Sequence, residues 1–173
     1  MRTIWTILAG MVISGCSPPP ADKPSSTESP SVQVDTTPRV TGIGGIFFTS
    51  EDPQGTKEWY AQHLGLATDD YGSPFEFRNA LDPSQINYLR WSLYPEDTDQ
   101  FAPSDKPFMI NYRVHNLAAL VSNLREAGVT ILDTITEYPY GKFVHIMDPD
   151  GNKIELWEPV DSVLTAMGGT TTK

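Results

Sequence analysis

The order of hydrophobic and polar residues repeats once in the middle of the chain, with a constant offset between the two copies. An apolar run beginning at Gly45 predicts a β-strand, and so does the corresponding run beginning at Met109. Asp52 and Asn116 are good N-caps, and apolar residues follow Asn116 at helical spacing. The pattern therefore predicts a strand followed by a helix in each copy.

Each copy also closes on a predicted strand that stops at a proline, Pro95 in the first copy and Pro159 in the second. The length of chain from the opening strand to this proline is the same in both copies. We therefore predict two βαβββ repeats that form a curved mixed sheet around a cavity, with the helices outside. This architecture is an α+β fold.

Three segments of the repeat carry a recognisable sequence: FF at 47–48, WY at 59–60 with LGL at 64–66, and DPDGNKIELWEP at 148–159. Together they resemble the glyoxalase/bleomycin-resistance/dioxygenase family, whose fold is called vicinal oxygen chelate. The resemblance covers almost all of residues 40–160, which we take as the domain. It implies a cavity that holds a ligand and, in the enzymes of the family, a divalent metal ion.

The resemblance also implies where such a metal would be held, on the first and last strands of each half. In this sequence the four positions are Gly45, Trp91, Met109 and Glu155. Only the Glu155 carboxylate is a suitable ligand for a hard or borderline cation, and one carboxylate does not hold such an ion. We therefore expect no cofactor, with a divalent metal as the alternative.

Two details bear on this expectation. If the strand that carries Trp91 is shifted by one residue, Arg90 and Ser92 face the cavity instead, and neither is a metal ligand. His145 could enter the cavity beside Glu155 and form an atypical metal pair with it, although we expect a packed or partly exposed histidine.

Strand alternation sorts the side chains that face the cavity. The residues expected to bind a small molecule are Phe47, Trp91, Asn111, Arg113, Tyr140, Glu155 and Trp157. Arg113 is a natural anchor for a ligand carboxylate, and the alternative is an internal ion pair with Glu155. Glu155 is also the one candidate catalytic residue, as a general base that needs no metal. For the two tryptophans, simple core packing is the alternative.

The N-terminus has the parts of a bacterial secretory signal, with Arg2 ahead of an apolar run. This run is too short to span a bilayer, and the residues that end at Cys16 resemble the lipobox of lipoproteins. We therefore predict a signal peptide at 1–15. A lipidated Cys16 then begins a disordered tether rich in proline, serine and threonine, at 16–39. Residues 161–173 are expected to be a flexible tail.

The amino-acid composition limits the kinds of partner that we expect for this chain. The chain has 12 basic and 22 acidic residues and a formal net charge of −10, which argues against nucleic acid as a partner. Cys16 is the only cysteine, so its lipidation would leave no thiol for a disulfide or for catalysis. Membrane association is then expected through the lipid anchor, at the periplasmic or extracytoplasmic face of a bacterial membrane.

These observations favour a domain of the cell envelope that binds a small molecule, as drug-sequestering members of the family do, over an enzyme. The first alternative is a metal-dependent lyase, isomerase or dioxygenase of the same superfamily. The second is a non-catalytic envelope subunit that presents a surface to a partner protein. The family also allows a homodimer, while two complete halves in one chain allow a closed monomer.

Overall fold

The computed structural model describes residues 35–173, so the predicted signal peptide, Cys16 and most of the tether lie outside the described residues. In chain order the elements are β1 (Arg39–Ser50), α1 (Pro53–Leu64), β2 (Ser73–Arg78), β3 (Ile86–Pro95), β4 (Phe108–His115), α2 (Leu117–Glu126), β5 (Thr130–Ile131), β6 (Thr136–Tyr138), β7 (Gly141–Met147), β8 (Lys153–Pro159) and α3 (Asp161–Met167). Within residues 35–173, none of these helices combines the length and the hydropathy that a membrane crossing requires.

The strands form one mixed sheet in the order β2-β3-β1-β4-β8-β7-β5, and β6 pairs with β7 beside this path. β1 is parallel to β3 and antiparallel to β4, and β4 is parallel to β8. The two halves of the chain therefore meet at the central pair β1–β4, where Ile46 lies opposite Ile110. This topology confirms the predicted α+β fold with a curved mixed sheet.

The first half differs from the predicted βαβββ repeat. Within the described residues, only β2 and β3 follow α1 in this half, whereas four strands follow α2. The segment before β2 makes only an isolated bridge between Asp69 and Gly72. Gly72 has a φ of 135°, and a Cβ at this position would lie 1.9 Å from the carbonyl oxygen of Trp91. A tight turn packed against β3 therefore replaces the missing strand.

The predicted caps fix where the two main helices begin. Asp52 Oδ1 accepts a hydrogen bond from the Gly55 backbone N–H at 2.9 Å, and Pro53 is the first residue of α1. Asn116 Oδ1 accepts from the Ala119 N–H at 3.3 Å ahead of α2. These bonds satisfy backbone donors that a helix N-terminus otherwise leaves free.

The apolar core lies between the helices and one face of the sheet, mainly in the second half. Its buried members are Val114, Leu117, Val121, Val144, Ile146 and Leu156. Helix α2 buries two of these residues, while α1 has no fully buried residue. Because burying one large apolar side chain stabilises a fold by roughly 1.5–3 kcal/mol, the second half carries most of the packing energy. The opposite face of the sheet is left for the cavity.

Residues 161–173 differ from the flexible tail that the sequence predicts. They form α3 and then a short extended end, and we call this segment the C-terminal strap. The Thr172 N–H donates to the Pro74 carbonyl oxygen at 2.8 Å, and the Glu76 N–H donates to the Thr172 carbonyl oxygen at 3.2 Å. Gly168 and Gly169 have positive φ angles of 67° and 114°, which let the chain turn back after α3.

The Thr172 hydroxyl completes this attachment. Its Oγ1 accepts a hydrogen bond from the Ala67 N–H at 2.8 Å and lies 2.8 Å from the Ser73 Oγ. Ser73 is fully buried, and its hydroxyl also donates to the Ala67 carbonyl oxygen at 2.9 Å. The strap is thus held at its end by both backbone and side-chain hydrogen bonds.

Replacing Thr172 by valine should lower the free energy of unfolding of the full chain by about 1–3 kcal/mol, because the substitution leaves the Ala67 N–H and the Ser73 hydroxyl without this partner. Thr171→Val is the matched control, since none of the described hydrogen bonds uses the Thr171 hydroxyl; it should change stability little. Urea unfolding followed by circular dichroism measures both variants. Equal stability of Thr172→Val and wild type would contradict the attachment.

Candidate functional site

A cavity of about 670 Å³ opens on the inner face of the sheet. Five of the predicted ligand-binding residues line it: Phe47, Asn111, Tyr140, Glu155 and Trp157. The C-terminal strap supplies another wall through residues 164 and 167–171. This volume lies within the range of pockets that hold drug-sized ligands. The structure thus brings together side chains from both halves of the repeat and from the strap.

Two adjacent glycines keep the floor of the cavity open. The pairing of β1 with β4 is irregular between Ile43 and Gly45. A Cβ on Gly44 would lie 2.2 Å from Asn111 Oδ1, and a Cβ on Gly45 would lie 2.4 Å from the ring of Phe47. The absence of a side chain at these two positions therefore lets β1 pass close to the inward-facing groups.

The predicted inward orientation of Trp91 is wrong. Phe47 of β1 lies opposite Ser92 of β3. If β1 and β3 paired as β4 and β8 do in the second half, Phe47 would lie opposite Trp91. Trp91 is consequently on the outer face, with its ring centroid 4.7 Å from that of Tyr60 in α1. A one-residue shift exchanges the two faces of a strand, so Arg90 lines the cavity instead.

Arg113 is not free to anchor a ligand carboxylate, contrary to the expectation from the sequence. Its side chain is buried and forms an ion pair with Asp161 at the start of α3. Its guanidinium also donates to the Tyr88 carbonyl oxygen at 2.9 Å and lies 5.1 Å from the ring centroid of Trp157. The internal ion pair between Arg113 and Glu155 that the sequence suggested does not form; Arg113 pairs with Asp161 instead.

Arg90 is also paired within the chain. Its Nη1 donates to both carboxylate oxygens of Asp69, at 2.9 Å and 2.7 Å. The pKa of Asp69 is lowered from its ordinary value; burial acts to raise it, but the hydrogen bond and the charge of Arg90 outweigh that effect. Arg90, which lines the cavity, and the buried Arg113 therefore each have a carboxylate partner.

Glu155 lies in a row of hydrogen-bonded side chains that we call the carboxylate–histidine chain: Asn111, Glu155, His145 and Asp133. Asn111 Nδ2 donates to Glu155 Oε1 at 2.6 Å, and His145 Nε2 lies 3.2 Å from Glu155 Oε2. On the other edge of the imidazole ring, Nδ1 lies 2.6 Å from Asp133 Oδ2. The imidazole is thus held between two carboxylates.

This arrangement favours the protonated form of His145. Burial acts to lower the pKa of His145, but the hydrogen bonds to Glu155 and to Asp133 outweigh it and raise the pKa above the ordinary value of 6.5. An imidazolium between two carboxylates leaves this group with one excess negative charge.

Aromatic side chains form the wall next to this row. Phe143 stacks on Trp157 with ring centroids 5.8 Å apart, and the ring of Tyr140 meets Phe143 edge to face at 5.7 Å. The Trp157 indole N–H donates to the Tyr140 carbonyl oxygen at 3.2 Å, which holds Tyr140 against β8. Phe47 also lines the cavity. It packs on Met109 in a small apolar cluster.

The donor groups at the cavity do not fit the family's divalent metal site. Of the four family positions, Gly45 has no side chain, Trp91 faces outward and Met109 is packed among aromatic rings. His145 and Glu155 together offer two donors, and Asp133 lies on the opposite edge of the imidazole ring. No group of three or more histidine, cysteine or acidic residues is placed to hold a metal ion in the part of the chain that the structure describes.

The sequence did not predict two residues of the site, Asp133 and Asp161. Asp133 lies between two short strands, and it reaches His145 only because β5 pairs with β7. Asp161 was assigned to the tail, although it neutralises Arg113. The available signal for Asp161 was its place immediately after the closing strand, where an acidic residue also suits the start of a helix.

Comparison with known proteins gives a family and a fold. A profile of the Glyoxalase/Bleomycin resistance protein/Dioxygenase superfamily matches residues 42–156. A search of curated proteins finds no significant match.

Among solved structures, the methylmalonyl-CoA epimerase of Mycobacterium tuberculosis superposes with a TM-score of 0.51 at 21% identity, covering 77% of this chain and 97% of that one. The Streptomyces coelicolor methylmalonyl-CoA epimerase in complex with 2-nitronate-propionyl-CoA has a TM-score of 0.52 at 15% identity, covering 70% and 99%. A Mn(II)-bound glyoxalase from Novosphingobium aromaticivorans has a TM-score of 0.50 at 18% identity, covering 79% of this chain and 43% of its own. At these identities the similarity shows the fold alone.

The raised pKa of His145 predicts how stability depends on pH. Its interactions should stabilise the folded chain fully below about pH 6.5, the pKa of an unfolded histidine, and less as the pH rises through the higher folded value. Asp133→Asn removes one of the two carboxylates, so it should lower the His145 pKa and weaken this dependence. NMR titration of the imidazole, with urea unfolding at about pH 6 and about pH 8.5, measures both effects.

Asp97→Asn is the control for that experiment, because it removes an exposed carboxylate outside the carboxylate–histidine chain. It should leave the His145 titration unchanged. An Asp133→Asn variant with the wild-type His145 pKa would show that the contact with Asp133 does not hold the proton.

Proposed function

Because this chain belongs to the Glyoxalase/Bleomycin resistance protein/Dioxygenase superfamily, we propose that its cavity binds a small organic molecule without a divalent metal. The observation that carries the proposal is the state of Glu155. It is the one family metal position that keeps a ligand group, and both of its oxygens are already engaged, by Asn111 and by His145. A metal ion at Glu155 would compete with these partners for the carboxylate, and among the described residues it would find too few further donors.

The shape and chemistry of the cavity support binding. It is large enough for a drug-sized molecule, and its walls combine aromatic rings with a few polar groups, as in most small-molecule sites. In this proposal Phe47, Tyr140 and Phe143 contact the apolar part of the ligand. Asn111 and Glu155 contact its polar part, so Glu155 acts as a binding residue rather than as a catalytic base.

We further propose that the domain works in the bacterial cell envelope. Support comes from the sequence alone, where a signal-like start ends in the lipobox-like residues before Cys16. A lipidated Cys16 followed by a proline-rich tether would hold the domain close to the membrane while leaving the cavity accessible from the aqueous phase.

Metal removal tests the main proposal. We expect the full chain, purified in detergent, to contain far less than one equivalent of divalent metal by elemental analysis. Its thermal midpoint and its binding of the neutral fluorescent probe N-phenyl-1-naphthylamine should be unchanged by EDTA. NMR shifts caused by the probe should be concentrated at cavity amides such as those of Gly44 and Phe143. A stoichiometric metal whose removal lowers the midpoint or abolishes probe binding would overturn the proposal.

Substitution of Cys16 tests the anchor. In a bacterial host the wild-type chain should incorporate labelled fatty acid and sediment with the membranes, whereas Cys16→Ser should do neither, since serine provides no thiol for acylation. Ser17→Ala, a change at the next residue, should behave as wild type. Recovery of the wild-type chain without label in the soluble fraction would contradict the lipoprotein assignment.

A further inference from the structure

Among the described residues that line the cavity, one buried side-chain atom, Asn111 Oδ1, has no hydrogen-bond partner. Asn111 is 2% exposed, and its Nδ2 donates to Glu155 Oε1, so the amide cannot turn over without losing that bond. Its Oδ1 then has no hydrogen-bond donor. This oxygen packs against Gly44, and both residues line the cavity. An unsatisfied buried acceptor points to a ligand that brings an N–H or O–H group.

The charges around this atom favour a cationic donor. Arg90, which lines the cavity, is paired with Asp69, and the buried Arg113 is paired with Asp161, so a carboxylate already balances the charge of each arginine. The carboxylate–histidine chain keeps an excess of negative charge, because two carboxylates flank one imidazole. The chain as a whole has a formal net charge of −10, which also attracts cations and repels anions at long range.

The aromatic wall is compatible with the same class of ligand. The rings of Tyr140 and Phe143 stand next to Glu155 at the cavity, and aromatic faces attract cations through their partial negative charge. Phe47 and Leu89 complete an apolar surface that suits a hydrocarbon body. An ammonium group near Asn111 would therefore have acceptors on one side and rings on the other.

From these observations we infer that the cavity selects compounds with a protonated amine on an aromatic or other apolar body. The ammonium N–H groups would be donated to Asn111 Oδ1 and to the Glu155 carboxylate, while the body would lie against Phe47 and Phe143. This inference rests on the proposed small-molecule function and adds its ligand class. A carboxylate or phosphate at the same place would face Glu155 and an unpaired carbonyl oxygen, which both repel it.

A set of three naphthalene compounds with one ring system and different head groups tests the inference on the wild-type chain. The compounds are 1-naphthylmethylamine, 1-naphthylmethanol and 1-naphthoate, measured by isothermal titration calorimetry at about pH 7 and low salt. We expect the amine to bind at least about tenfold more tightly than the alcohol, and the carboxylate to bind most weakly. Equal affinities, or tighter binding of the carboxylate, would overturn the inference.

The two proposals fail in different ways in this design. Binding of N-phenyl-1-naphthylamine in the cavity, without a preference for the amine among the three compounds, would sustain the small-molecule function and reject the ligand class. Failure of the neutral probe and of all three compounds would reject both.

Substitutions then test whether Glu155 is the group that recognises the amine. Glu155→Gln keeps an oxygen that can accept from Asn111 but removes the charge, and it should weaken binding of the amine by about tenfold while changing that of the alcohol little. Glu96→Gln removes an equal charge at an exposed position outside the cavity and should leave both affinities unchanged. An undiminished affinity of Glu155→Gln for the amine would reject Glu155 as the recognition group. If that variant does not fold, the head-group comparison on wild type still decides the inference.

Discussion

The register of β1 with its two neighbours determines which side chains can act in this molecule. β1 is the strand through which the two halves join, antiparallel to β4 and parallel to β3. A change of one residue on either side would turn a full set of side chains to the opposite face. The irregular pairing at Gly44 and the position of Arg90 opposite Gly45 both follow from this register. Strand pairing therefore determines which residues of β1 and β3 face the cavity.

The second half of the fold was largely predictable because its local signals agree with one another. Asn116 caps α2 as expected, and β8 alternates cleanly between outer residues such as Leu156 and inner residues such as Glu155. The inward positions of Asn111 and Glu155 could therefore be read from alternation alone. The proline at the end of each closing strand also marked β3 and β8 correctly.

The orientation of β3 and the position of the strap could not be predicted from local sequence, because both depend on tertiary contacts. Strand β3 has large residues on both faces, so its sequence does not distinguish Trp91 from Arg90 as the inward position. The strap has few apolar residues, and its order comes from hydrogen bonds to distant elements, such as those of Thr172 to Ala67 and Ser73. The Arg113–Asp161 ion pair depends on that order. These interactions join residues far apart in the chain and leave no periodic trace in the sequence.

The strap also has a consequence for how the sheet meets other chains. β2 lies at one edge of the sheet, where unpaired backbone groups could add a strand from another molecule. The end of the strap covers part of this edge, since the backbone of Thr172 bonds to Pro74 and Glu76. At the opposite edge β5 is only two residues long and offers little to pair with. Thr172 therefore occupies backbone groups of β2 through which an edge-to-edge contact could otherwise form, and a peptide fused after Lys173 would extend from the segment that covers this edge.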